Sequence, residues 1–309
     1  MARNPLRLRL VFASYAQSVF GWVLSPIGKS QLNKMIDKGL PEYLRSPILF
    51  LLGEKLTDED RQIVRQIEAI RSNFAKQRQK YVLGHSLIGL AGGGGAPIDF
   101  KKPELASWSS RWIARVASVP QYWGTFLYLS ANAHRSGIIL ELGACIGISG
   151  AYLASAKYCR NFISVEGLPR LADIAEANIK RIASNATVWH TLFDDALDRI
   201  LPTQVDSFDL VYIDGHHEKA ATLHYFDRLI PHLSDGCLVI FDDVHWSLGM
   251  VEAWNSFRQR KGFTCTLDLG RFGIGLWNGK DHYPANFDLF PFTQLWERGR
   301  RRFTRRASS

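Results

Sequence analysis

From about residue 105 onward, short apolar runs alternate with amphipathic stretches. The runs IILEL (138–142), FISVE (162–166), FDLVYI (208–213) and CLVIF (237–241) have strand length and are apolar almost throughout, which marks strands covered on both faces. Helical spacing fills the gaps, at 169–183 and 217–232. Strands alternating with helices predict a parallel sheet with helices on both sides. FTCTLDLG and FGIGLW follow on either side of Gly270 and Arg271 and read as an antiparallel hairpin that closes the sheet. Upstream, the clearest helix is expected over 57–83. Thr57 and Asp60 form a capping box with Asp in the place of Glu or Gln. Asp58, Glu59 and Asp60 face the positive end of the helix dipole, and Ile63, Ile67, Ile70 and Phe74 share one side. The run Gly92 to Gly95 lacks the GK[ST] of a phosphate loop and reads as a linker or lid.

Composition narrows the class. A chain of 309 residues that is 46% hydrophobic and 22% charged can bury a substantial core. No stretch of eighteen residues is apolar enough for a membrane span; Val11 to Gly28 comes closest but carries serines, glycines and Pro26. The formal charge of +9 belongs to the ends: residues 1–86 hold 14 basic against 7 acidic groups, 280–309 hold 7 against 3, and 87–279 hold 17 against 19. A nucleic-acid enzyme would concentrate positive charge around its site, so no nucleic-acid partner is expected. Basic ends with interleaved aromatics suit an anionic membrane surface or a solvated tail. Cys145, Cys159, Cys237 and Cys265 form no CxxC pair, and a reduced, cytoplasmic protein, with peripheral membrane contact through its ends left open, is the expectation. Homo-oligomerisation is also left open. The expected organisation is an N-terminal helical extension with a Gly-rich linker (1–104), an α/β domain (105–279) and a basic C-terminal tail (280–309).

The chemistry lies at the strand ends, where open parallel sheets bind ligands. ELGACIGISG runs from the first strand into a helix with the spacing E-x-G-x-x-x-G, from Glu141 through Gly143 to Gly147. Those glycines allow close backbone approach to a ligand. The dinucleotide spacing G-x-G-x-x-G is absent, which argues against a nicotinamide enzyme. Glu166 ends the second strand and can accept hydrogen bonds from both hydroxyls of a ribose. In TLFDDAL, either Asp194 or Asp195 is placed to meet an adenine amino group, or both cap the next helix. Asp214 follows FDLVYI, and Asp242 and Asp243 follow CLVIF. Three converging carboxylates repel one another unless protonated or neutralised, and a hard divalent ion with oxygen ligands is the expected solution.

Taken in order, ELGACIGISG, ISVEGLPR, YIDGHH and FDDVHW resemble the class I S-adenosylmethionine-dependent methyltransferases. The likeness is greatest to the catechol and caffeoyl-coenzyme A O-methyltransferases and related small bacterial methyltransferases, and it covers roughly residues 105–279. The resemblance implies a Rossmann-like, doubly wound, seven-stranded sheet with a C-terminal antiparallel hairpin. It implies an S-adenosylmethionine cofactor lying along Gly143, Ala144, Gly147 and Ser149, beside Glu141 and Asp214, with its ribose on Glu166. It also implies Mg²⁺ on Asp214, Asp242 and Asp243, although Asp243 stands where the family carries asparagine. His217 occupies the position of the family's catalytic lysine, and an imidazole suits a general base near neutrality; His216 and His245 are alternatives. Methyl transfer to a small-molecule, saccharide or lipid-linked hydroxyl is the expected reaction. The rival is a non-catalytic or membrane-associated binding protein on the same scaffold, which would not need to keep Glu141, Gly143, Glu166 and Asp214.

Overall fold

In the computed structural model, which describes residues 25–82, 107–203, 206–290 and 292–293, the apolar runs become the strands expected of them. The strands are β1 (Lys80–Val82), β2 (Ser107–Ser109), β3 (Ile138–Leu142), β4 (Asn161–Glu166), β5 (Ala186–His190), β6 (Phe208–Ile213), β7 (Leu233–Phe241), β8 (Phe263–Asp268), β9 (Gly273–Trp277) and β10 (Ala285–Asp288). The helices used below are α1 (Arg45–Leu51), α2 (Asp58–Lys76), α3 (Gln121–His134), α4 (Ile148–Ala154), α5 (Pro169–Lys180), α6 (Phe193–Thr203), α7 (Lys219–Leu229) and α8 (Leu248–Phe257).

β3 to β10 form one sheet in the order β10-β8-β9-β7-β6-β3-β4-β5, with only β9 reversed against its neighbours. The expected hairpin is present. The sheet has eight strands rather than the seven implied by the family resemblance, because part of the expected basic tail forms β10 and pairs parallel with β8. Thr266 and Asn286 also join their side chains across this pair, so the sheet continues past residue 279. The chain runs outward from β3 to β4 and β5, then returns to lay β6 against the other side of β3. That reversal opens a crevice at the carboxyl ends of β3 and β6, the usual ligand position in such a sheet.

Strand alternation assigns the two faces. Ile139 joins the core shared with α3, α4 and α5, whereas Leu140 and Leu142 join the core beneath α6, α7 and α8. The N-terminal helices belong to the first core. α2 is shorter than expected: it starts at the Thr57 cap, where Asp60 N donates to Thr57 Oγ1 at 3.1 Å, and ends at Lys76. Arg78 is left-handed (φ 53°), and residues 80–82 turn into a ribbon with 107–109. Val64, Ile67, Ile70 and Phe74 are the buried face, while Ile63 is only partly buried. Tyr152 of α4 donates to Glu68 (3.0 Å), and Arg71 reaches the carbonyls of Ala114 and Val119. These contacts bridge the boundary expected near residue 104. No helix among the described residues is long and apolar enough to cross a membrane. The Gly92–Gly95 run, most of Val11–Gly28 and residues 294–309 lie outside the described residues.

Because α2 shares the core of the sheet, Ile67→Ala should lower stability by about 2–5 kcal/mol in a single denaturant transition. Circular dichroism and tryptophan fluorescence check this; an unfolding step confined to the N-terminal helices would show instead that the layer is separable.

Candidate active site

The glycine loop is shaped first by neighbouring backbone. Gly143 has φ 110°, and a Cβ there would lie 1.8 Å from the Asp214 carbonyl oxygen. At Gly147 (φ 76°) a Cβ would meet the Ala175 carbonyl at 2.7 Å. The first glycine thus lets β3 and β6 meet at their ends, and the second lets α5 pack on the loop. Ala144 is buried and donates its N–H to the Val165 carbonyl. Three further residues near these ends, Cys145, His216 and Asp243, hold positive φ without being glycine. Such conformations cost about 1–3 kcal/mol each and gather where function demands them. One follows each of β3, β6 and β7.

The two glutamates differ in what they hold. Glu166 Oε2 accepts from Cys145 N at 2.8 Å and Oε1 from Leu168 N at 2.9 Å, so this carboxylate binds the glycine loop to the turn after β4. Each oxygen has a further lone pair for a ligand hydroxyl. Glu141 has no exposure. It lies beneath α4, accepting from Ser164 and engaging Ser149, and its Oε1 has no partner. Its place is that of a brace under the loop rather than a wall of the crevice. Burial pushes both carboxyls up to about 7. Of the adjacent acids, Asp194 is committed to α7, with His224 Nε2 at 2.7 Å and Arg228 at 3.6 Å; Asp195 is exposed on the first turn of α6.

At the ends of β6 and β7 the acids converge, but around an arginine. Asp242 is fully buried; its Oδ2 lies 2.7 Å from Arg271 Nη2, and its Oδ1 accepts from Asp243 N at 2.7 Å. The same guanidinium is 3.6 Å from Asp243. Tyr212 OH stands 3.0 Å from both Asp214 Oδ2 and Asp242 Oδ2. The single phenolic proton is shared between the two carboxylates, and Asp242 accepts from Arg271 Nη2 as well. Burial and then the Asp242 charge push Asp214 well above the usual carboxylate range. Burial would also raise Asp242, but Arg271 holds it below that range. Among the described residues, no group of three or more His, Cys, Asp or Glu is arranged to hold a metal ion. Within the expected Mg²⁺ set of Asp214, Asp242 and Asp243, Arg271 already places a positive charge against Asp242 and Asp243. Sequence reading missed Arg271 and Tyr212. An arginine at a hairpin tip and a tyrosine in an apolar strand carry no local signal of a shared partner.

His217 Nε2 lies 3.5 Å from Asp214 Oδ1, and its burial lowers the ring's pKa, which favours the neutral, proton-accepting form near neutrality. The two alternatives are engaged elsewhere. His216 Nδ1 pairs with the Tyr225 hydroxyl at 2.9 Å. His245 Nε2 pairs with Asp268 at 2.8 Å and its ring stacks on Phe290.

Two variants test this architecture. Gly143→Ala should destabilise by at least about 2 kcal/mol from its backbone conformation plus the collision with Asp214. Gly236→Ala, also at positive φ but with nothing within 4 Å of its Cβ, should lose only the conformational part; equal losses in thermal melts would dismiss the strand-end contact. For Glu141, the raised folded-state pKa means the native protein keeps a proton that the unfolded chain releases. Its raised pKa therefore takes nothing from stability below pH about 4.5 and progressively more up to about 7. Glu141→Gln should remove that slope, gaining up to about 3 kcal/mol relative to the parent at pH 8 compared with pH 4, read from urea midpoints.

Residues 140–244 match the family model described as a methyltransferase domain. A catechol O-methyltransferase of Mycobacterium tuberculosis is 30% identical over 141 residues, covering 45% of this chain and 62% of that protein. One from Niastella koreensis is 30% identical over 131 residues, covering 41% and 58%. The chain thus spans about six tenths of the length of these relatives. An O-methyltransferase from Bacillus cereus, solved in complex with SAH, aligns over 52% of this chain and 83% of its own at 22% identity, with a TM-score of 0.46. The similarity read from ELGACIGISG, ISVEGLPR, YIDGHH and FDDVHW is therefore to the catechol-type O-methyltransferases, and it is centred on a methyltransferase domain at residues 140–244.

Proposed function

We propose that this chain is an S-adenosylmethionine-dependent methyltransferase acting on an oxygen nucleophile. The observation that carries the reading is the meeting, at the β3–β6 reversal, of the glycine loop, Glu166, Asp214 and His217. Bound there, the cofactor would supply an electrophilic methyl group on a sulfonium. Gly143 to Ser149 would run along it, Glu166 would accept from its ribose hydroxyls through its remaining lone pairs, and Asp195 is the freer of the two acids for the adenine edge. Glu141 would act from beneath, by holding Ser149 and the loop in place. On the acceptor side, His217 in its neutral form would take the proton of the attacking hydroxyl. Asp214 lies between the two groups, its carbonyl against Gly143 and its carboxyl near His217. Holding the two substrates in line accounts for most of the rate in such a transfer. No step is assigned to Mg²⁺. Phenolic, saccharide and lipid-linked hydroxyls are all acceptors consistent with this chemistry.

Calorimetry should show S-adenosylmethionine binding with no competition from NADH. Glu166→Ala should weaken it at least about tenfold, since buried hydroxyls lose a charged acceptor; undiminished binding would show that the cofactor lies otherwise. His217→Ala should cut turnover to S-adenosylhomocysteine by about 10²-fold or more with cofactor affinity preserved, tested first with catechol as acceptor.

A further inference from the structure

We infer that Arg271 takes the place of a divalent ion at the acceptor side of this site, so that the carboxylates after β6 and β7 bind no metal. The inference rests on the methyltransferase reading for its meaning and on geometry for its support. Asp242 Oδ2 is taken by Arg271 and Tyr212, and Oδ1 is turned to the Asp243 amide. An ion shared by Asp242 and Asp243 would lie beside a guanidinium already 2.7 and 3.6 Å from those two carboxylates. A second cation there would meet strong repulsion at low effective dielectric.

Arg271 cannot easily withdraw. It lies in the short turn between β8 and β9, where Leu269 N donates to the Phe272 carbonyl and Gly270 (φ 88°) makes the reversal. The Arg271 carbonyl accepts from Val244 N at 3.2 Å, tying the turn directly to the loop that carries Asp242 and Asp243. Asp268 holds the base of the turn by accepting from Gly270 N at 2.8 Å, and is itself held by Trp254 Nε1 at 2.9 Å and His245. Arg271 Nε is buried and makes no hydrogen bond, so the guanidinium is engaged through its terminal nitrogen. The hairpin therefore delivers a fixed positive charge to the acid cluster. Arg271 acts here as a positioning residue. One consequence concerns the acceptor: with no ion to chelate, it need not present two adjacent oxygens.

The test is a Mn²⁺ titration of the full, chelator-dialysed chain, following the free-ion electron paramagnetic resonance signal, with S-adenosylmethionine affinity measured in parallel by calorimetry. The expected result is no Mn²⁺ site tighter than millimolar in the parent chain, with or without the cofactor. One equivalent bound in the micromolar range, and lost in Asp242→Asn, would overturn the inference. Arg271→Gln should bind Mn²⁺ at least tenfold more tightly than the parent. A folded Arg271→Gln chain that gains no affinity would also count against the guanidinium as the group that keeps the ion out. If that variant does not fold, the parent titration still decides. Failure of the parent chain to bind S-adenosylmethionine would sink the methyltransferase reading separately, whatever the Mn²⁺ result.

Discussion

A charge buried away from solvent needs a partner, and for Asp242 that partner is Arg271. Asp242 directly follows the central strand β7, and its negative charge is held by Arg271 from the hairpin tip. Removing one member of such a pair costs about 3–5 kcal/mol, because the other is left charged and dry. The requirement therefore constrains more than one residue. It demands that β9 lie antiparallel beside β7, that the β8–β9 turn be short, and that Asp268 hold the turn's base. Tyr212 extends the network to Asp214, so the ends of β6 and β7 and the hairpin tip form one polar unit.

The other side of the crevice is governed by close approach rather than by charge. Gly143 brings the end of β3 against the Asp214 carbonyl, and Gly147 admits α5. Glu166 then locks the loop between them by accepting the Cys145 amide. The left-handed residues after β3, β6 and β7 show where the chain has been bent from its preferred conformations to make these ends meet. Strain on three neighbouring loops persists only when the surrounding sheet over-determines them. A rigid sheet with strained rims is the arrangement in which a ligand can be held without first ordering its site.

The N-terminal helices contribute to the same rigidity. α2 lies on α4, the helix that follows the glycine loop, and the Tyr152–Glu68 hydrogen bond joins them. Arg71 binds two carbonyls of the segment leading into α3. The extension therefore supports the glycine loop from behind, while the hairpin supports the ends of β6 and β7.

Much of this was legible along the chain. Continuous apolar runs report strands covered on both faces, and IILEL, FDLVYI and CLVIF became β3, β6 and the end of β7. The Thr57 cap, the hairpin, the glycine loop and the acids at strand ends also carry local signals, because each depends on residues close in sequence. The length of α2 and the strand β10 did not, since long-range pairing decided both: 80–82 with 107–109, and 285–288 with β8. The identity of the cation is the plainest case. Sequence by itself determined that Asp214, Asp242 and Asp243 would stand at neighbouring strand ends and need neutralising. Only the tertiary structure decided that Arg271, 29 residues from Asp242, would do it. Periodicity reports what each element buries, whereas an ion pair between elements depends on strand order and register, which no single segment encodes.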